Sequence, residues 1–360
     1  MRACTSILLA ALFLTLAGRA PAQDPAPASP PPLPPLLTLA PDEAGQSTLL
    51  DRVIANQKKD EAALDLYERL ERLEIRKNAA DPQPAQVKIS RVVPVGTGTD
   101  RIPLGPDATP ADPAAYRAEL LKLERALAWA AEDGAAQLDA YAKIARKHKD
   151  RDALIAATRS AFLYTFVTRE PRGDRLLAKF RMAPNPAYKP TSRSTAFFTK
   201  VRGFVWIDES SSQLARVEGE IASDISIGGF LAKVYRGSHF MQERYEVAPG
   251  LWLPSFSQYD FDGRKIFLPF SIHERTFFSR YHLIGPPKDA LPLIRAELAS
   301  PEPGRSQIPT RPESASPASV PSAPGPATAA PTTPAVSTFK PGPVAHGPPR
   351  QPHNSASDPL

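Results

Sequence analysis

The sequence predicts an α+β fold whose C-terminal half is an antiparallel sheet. Three observations carry this. After Phe162 the chain runs in tandem segments of aromatic and β-branched residues separated by short turns. Between Asp112 and Ala161 the apolar residues instead keep helical spacing. The 42 prolines crowd toward the two ends, which leaves the middle of the 360-residue chain free to fold.

Residues 1–22 have the pattern of a cleaved secretory signal. Arg2 supplies the positive start, Ser6 to Gly18 the apolar run, and Ala20-Pro21-Ala22 the small-residue cleavage site. The run is shorter than the ~20 apolar residues that cross a bilayer. A periplasmic or secreted location follows as an expectation. Cys4, the only cysteine, precedes the apolar run, so the processed protein would have no disulfide or thiol chemistry.

Residues 23–46 form a Pro-rich linker, and Pro30 to Pro35 favours extended polyproline II. The folded region is placed at 47–295. Its first helix puts Leu49, Leu50, Val53 and Ile54 on one stripe, with Ser47 as the expected N-cap. Leu64 to Lys77 is ambiguous: its residues are strong helix formers, yet Asp65, Tyr67, Arg69, Glu71, Leu73 and Ile75 alternate as a strand would. Asn78 to Pro84 is a turn cluster, and Val87 to Val95 reads as a strand.

A helical block spans about 112–161. Tyr116, Leu120, Leu121, Leu123 and Leu127 form one stripe, and Asp133-Gly134 breaks it. Leu138, Tyr141, Ile144 and Ala145 form a second. Lys147 to Asp152 reads as a charged link before a third helix over Leu154 to Ala161.

Strands are then predicted at Phe162–Thr168, Leu176–Met182, Lys200–Ile207 and Gln213–Ile221. Another follows over Leu231–Val247 with a bend near Gly237. The last two, Leu251–Phe261 and Arg264–Tyr281, are joined by a tight turn at Asp262-Gly263. Parallel pairing would need crossover helices between these strands, and there are none. Some strands are apolar on both faces: Ile266, Leu268 and Phe270 share one side while Phe267 takes the other. One face can pack on helices; the other needs a second cover or a ligand. Residues 296–360, rich in Pro, Ala and Ser, are expected to be a disordered tail.

The composition and motifs exclude more than they assign. Net charge is +6, which could favour anionic lipid head groups or nucleic acid. No basic stripe with interleaved aromatics stands out, so no nucleic-acid partner is expected. Asp260-Phe-Asp-Gly263 starts like a calcium loop but lacks the later acidic ligands. His239, His273 and His282 lack metal-ligand spacing. Asp208-Glu209 before Ser210-Ser-Ser212 is better explained as a turn than as acid and nucleophile. No Gly-x-Ser-x-Gly, His-Glu-x-x-His or phosphate loop occurs. The expectation is a non-enzymatic protein with no cofactor and no metal.

Four segments resemble the outer-membrane lipoprotein-sorting (LolA-like) family. They are Met182 to Pro190, Val201-Arg-Gly-Phe-Val-Trp-Ile-Asp208, Leu214-Ala-Arg-Val-Glu-Gly-Glu220 and Gly250-Leu-Trp-Leu-Pro254. The resemblance implies an antiparallel open, incomplete β-barrel wrapped around helices, with an apolar cavity for acyl chains. It tips Leu64–Lys77 toward strand, since an early hairpin belongs to that fold. The helical block at 112–161 and the Pro-rich ends depart from a minimal carrier. The partner it implies is an acylated lipoprotein or lipid, bound by a monomer that is peripheral at most to the membrane. The alternative is an envelope-stress sensor that binds an envelope protein through the same fold, tethered by its tail.

The candidate cavity residues are Phe204, Trp206, Phe230, Phe240, Trp252, Phe256, Phe267, Phe270 and Phe277. Ordinary sheet-to-helix core is the competing assignment for each. Burying about ten methylenes at ~0.8 kcal/mol each gives ~8 kcal/mol, roughly micromolar binding before ordering costs.

Overall fold

The computed structural model describes residues 35–227 and 232–304. The predicted signal, Phe230 and nearly all of the predicted tail lie outside the described residues. The fold is α+β, built on one open antiparallel sheet of 12 strands.

In chain order, α1 (Pro35–Thr38) and α2 (Glu43–Ala63) lead into β1 (Tyr67–Ile75), β2 (Gln86–Pro94) and β3 (Thr99–Leu104). Two helices, α3 (Pro113–Ala130) and α4 (Ala135–Ala161), precede β4 (Phe162–Arg172) and β5 (Arg175–Pro184). A short α5 (Arg193–Ala196) leads to β6 (Val201–Asp208), β7 (Gln213–Ile221), β8 (Ile225–Ile227) and β9 (Ala232–Val234). Then come β10 (His239–Ala248), β11 (Leu251–Lys265), β12 (Leu268–Leu283) and α6 (Pro287–Ala299).

The sheet runs β3-β2-β1-β12-β11-β10-β7-β6-β5-β4, and the small β8–β9 hairpin pairs with β11 through β9. The early hairpin thus docks on the last strand, and β3 and β4 remain as free edges. The barrel is incomplete for that reason. The ambiguous segment at 64–77 is a single 3-10 turn (Leu64–Leu66) followed by β1. Cross-strand partners decide it: Leu73 stands between Lys88 and Thr276 in the ladder.

Several boundaries differ from the sequence expectation, each for a local reason. α2 begins at Glu43, four residues before Ser47, because the Asp42 carboxylate accepts the Gly45 amide at 2.6 Å. The charged stretch Lys147–Asp152 does not link two helices but continues α4, since it contains no Gly or Pro and His148 reaches Asp65 at 3.0 Å. The Leu231–Val247 strand divides at Gly237, whose φ of +90° turns the chain between β9 and β10.

The hairpin turn is not at Asp262-Gly263. Those residues pair in the ladder with Ser271 and Phe270, and the turn falls at Ile266-Phe267, closed by Lys265 opposite Leu268. Apolar character at 266–268 argued for strand, and it hid the turn. The folded region also continues beyond 295: α6 extends to Ala299 and buries Glu297. Strand β3 and helix α6 are additional to the predicted elements, and each carries a proline inside it, Pro103 and Pro292.

The helices divide between the two faces of the sheet. α2 and the end of α4 cover one face, where Leu50 and Val53 join Phe162, Phe180, Val205, Ile207 and Ile221 in the main core. α3 and α6 pack on the other face, but only at its β2–β3 end. There Tyr116, Leu120, Leu123, Leu127, Ala290 and Ile294 meet Val93 and Ile102. A buried ionic network locks that end together. Arg91 pairs with Glu68 and Glu297 at 2.7 Å each, and the Tyr116 hydroxyl donates to Glu297 at 2.9 Å.

Candidate functional site: a groove on the open sheet face

Strand register builds the site. Side chains that stand opposite one another share a face. One row runs Lys179–Trp206–Arg216–Glu243–Phe256–Phe277–Arg72 across β5, β6, β7, β10, β11, β12 and β1. The next is Arg181–Phe204–Glu218–Met241–Gln258–Arg275–Glu74. A third is Arg202–Glu220–His239–Asp260–His273. All three lie on the face that α3 and α6 cover only near β2 and β3.

The first row is a stack of rings and cations. Lys179 Nζ lies 4.7 Å from the Trp206 ring centre, and the Arg216 guanidinium lies 5.0 Å from it. The Phe256 and Phe277 ring centres lie 5.0 Å apart with the rings tilted by 55°, and Arg72 lies over Phe277 at 5.6 Å. Arg175 covers Trp252 at 5.0 Å. Trp206 donates its indole N–H to Glu170 at 2.6 Å. Trp206 and Trp252 are consequently buried beneath charged side chains, with Leu177 and Ala215 as neighbours. Charged groups over rings are attracted by the ring faces and shield them from water.

The second and third rows line a groove of about 660 Å³. Phe204, Met241 and the stems of Arg181 and Arg202 supply its apolar wall; Glu218, Glu220, His239 and Gln258 supply polar groups. Gly203 and Gly219 stand opposite each other beneath it. A side chain at Gly203 would strike the Glu218 carbonyl oxygen at 1.9 Å, and one at Gly219 would enter the Phe240 ring, which covers that glycine from the helix side. The two glycines let β6 and β7 approach closely there.

Charges at the groove are mostly internally paired. Arg202 makes a two-pronged contact to Glu220 at 3.2 Å. His239 Nε2 lies 3.0 Å from Asp260, whose other oxygen lies 3.1 Å from His273 Nδ1. Burial works to raise the Asp260 pKa, but hydrogen bonds from His239, Gln258 and His273 outweigh it and hold the carboxyl at about 2. The same bond to Asp260 raises the pKa of His239. Arg181, at the rim, is exposed and makes no ion pair among the described residues.

The nine predicted cavity residues do not meet in one cavity. Phe204, Trp206, Trp252, Phe256 and Phe277 lie on the open face, and Phe204 alone of these five lines the groove. Phe240 and Phe270 pack on the main core, and Phe240 also lines the groove beside Gly219. Phe267 stands 84% exposed at the β11–β12 turn. Phe230 is outside the described residues. The groove's polar members, Arg181, Glu218, His239 and Gln258, were not singled out from sequence as a site. Only register brings them together, and their one legible signal is the basic and acidic alternation in Arg202–Phe204 and Glu218–Glu220.

The segment Asp208–Ser212 is the turn between β6 and β7. Asp208 accepts the Ser210 amide at 2.9 Å and pairs with Arg175 at 2.5 Å. Asp260–Gly263 is paired strand.

No family model, curated protein or solved structure matches this chain.

Proposed function

We propose that this chain is a non-enzymatic carrier of an apolar, acylated ligand, a lipoprotein or a lipid, working as a LolA-like protein of the cell envelope after export. The observation that carries the reading is the groove of about 660 Å³ on the helix-poor face of an open sheet. Its volume falls within the roughly 300–1,000 Å³ of small-ligand sites. Its wall is apolar at Phe204 and Met241, with paired charges at the margin, which suits an acyl chain carrying a polar head. The unclosed sheet gives a long chain a lateral way in and out.

The experiment is native mass spectrometry and lipid extraction of gently purified protein, followed by titration with a fluorescent acylated peptide. Bound acyl species and a dissociation constant near the micromolar range are expected. Substituting Phe204→Ser with Met241→Ser should weaken binding by about tenfold or more, since each apolar side chain adds ~1.5–3 kcal/mol when covered. Protein recovered empty that also ignores the peptide would sink the proposal.

A second reading, a protein-binding sensor of the same fold, is favoured by the β4 edge. Leu163 and Val167 are exposed there on a strand with one side unpaired by any other strand. Pull-down with Leu163→Lys protein separates the two: loss of a protein partner with acyl-peptide binding intact would favour the sensor.

A further inference from the structure

The β11–β12 turn presents the two most exposed large apolar side chains among the described residues, Phe267 and Leu268. Ile266 is 45%, Phe267 84% and Leu268 74% exposed, and they are consecutive. The turn has two residues, closed by Lys265 opposite Leu268. Ile266 has φ +60°. Positive φ at the first central position of a two-residue turn belongs to Gly, and a β-branched residue there is strained. A Gly-Asn pair, with glycine at the positive-φ position, would make this turn without strain. The chain carries Ile-Phe instead, so folding gains nothing from these residues that a polar turn would not supply. Strain retained at an exposed, apolar tip points to a surface that the tip enters.

The surroundings select what that surface is. Arg264 and Lys265 immediately precede the tip, are exposed, and make no ion pair among the described residues. The neighbouring β9 pairs with β11 at Lys265, Arg264 and Gly263, which brings Lys233 opposite Arg264. The acids nearby are already engaged: Asp224 holds Lys233 at 2.7 Å and accepts the Arg236 amide, and Asp262 accepts from Ser271 and lies 3.4 Å from His273. A protein groove would take side chains from one side of a hairpin. Here three successive residues are exposed, and successive residues on strands point to opposite sides. An apolar phase that surrounds the tip, bordered by anions that meet the basic collar, satisfies both features. From this tip and collar, we propose that the β11–β12 hairpin docks on an anionic lipid bilayer, with Ile266, Phe267 and Leu268 inserted among the acyl chains and Arg264 and Lys265 at the head groups. This does not depend on the groove carrying a ligand: a protein with an empty groove would still dock.

The test uses the full chain and vesicles of phosphatidylcholine with or without phosphatidylglycerol. Phe267→Trp should show a blue shift on adding anionic vesicles, relative to unsubstituted protein, and quenching by lipids brominated in the acyl region. That readout is local to the tip, so the N-terminal apolar run cannot mimic it. The triple variant Ile266→Gly, Phe267→Asn and Leu268→Thr keeps a favourable turn while removing the apolar tip. Its vesicle affinity should fall by about tenfold or more with its circular dichroism unchanged. Arg264→Gln with Lys265→Gln should weaken binding to the anionic vesicles most at low salt. Absence of shift and quenching in the Phe267→Trp variant, or equal vesicle affinity in the triple variant, would overturn the proposal.

Discussion

Both carboxylate oxygens of Asp60 lie buried where α2 packs on β11, without a hydrogen-bond partner of good geometry, and the residue is 1% exposed. Arg244 and the Trp252 amide lie close enough to favour the ionised form, but burial outweighs them and raises the carboxyl to about 6. Arg244 is itself engaged by Glu61 and the Trp252 carbonyl. The folded state therefore holds a proton on Asp60 that the unfolded chain releases at its ordinary pKa of 3.8. Stability falls as pH rises from about 4 through 6, by ~3 kcal/mol for a shift of this size. Asp60→Asn should be more stable than the parent at pH 8 by about 1–3 kcal/mol, with the advantage gone by pH 4. Chemical denaturation at the two pH values checks it, and parallel pH profiles would refute it. The two members of the His239–Asp260 pair have opposite signs. Asp260, held at about 2, contributes above pH 3.8 and loses its contribution as pH falls toward 2. His239, raised, contributes below its ordinary 6.5 and loses it as pH rises through its folded value. Asp260→Asn should thus cost most between about pH 4 and 6.5, read as a lower melting temperature in that window.

Elements in this protein are shaped by what lies opposite them more than by their own propensity. Gly219 serves the Phe240 ring, which occupies the place a side chain would take. Gly219→Ala should cost roughly 1–3 kcal/mol by forcing that ring off the main core, and melting against Gly173→Ala separates this from backbone strain. At Gly173 a side chain would meet nothing, and only its φ of +62° resists substitution. The β11–β12 turn is the converse case. Ile266→Gly with Phe267→Asn should raise stability by about 1 kcal/mol, because the turn then suits its residues. Loss of stability would mean the apolar tip packs on its own protein. The strands from β4 to β7 were legible because aromatic and β-branched residues alternate with charges there. The 266–267 turn was not, because turn chemistry at Asp262-Gly263 was present in a segment whose pairing extends beyond it. The continuity of α4 was also hidden. Its charged middle looks like a link until Arg151, near Glu61 and Asp65, shows what those charges face.

At the scale of the whole molecule, the sheet is assembled from distant parts of the chain. β1 pairs with β12, and the Glu68–His282 contact joins residues 214 apart. Periodicity identifies a strand but says nothing of such a neighbour, so the site was only partly readable: Phe204 and Phe240 were found, whereas Arg181, His239, Met241 and Gln258 needed register. The same is true of the C-terminal limit. Past Leu283 the sequence turns proline-rich, and a boundary at 295 looks natural. Yet Glu297 reaches Arg91 across 206 residues and accepts from Tyr116. It closes a network that also contains Glu68, so β1, β2, α3 and α6 share one buried charge cluster. Removing one partner strands the others: Arg91 is buried, its charge would face Glu68 as the one remaining carboxylate, and the Tyr116 hydroxyl, which still accepts from Arg91, would lose the acceptor for its own proton. The expected cost is about 3–5 kcal/mol for Glu297→Ala. A chain cut after Arg295 should lose at least as much, since it also loses the last turn of α6. A chain cut after Gly304 should unfold like the full protein, because every described contact of α6 is retained. Urea melts of the three variants beside the parent decide the matter. Equal midpoints for the cuts after Arg295 and Gly304 would show that the network adds nothing to the fold.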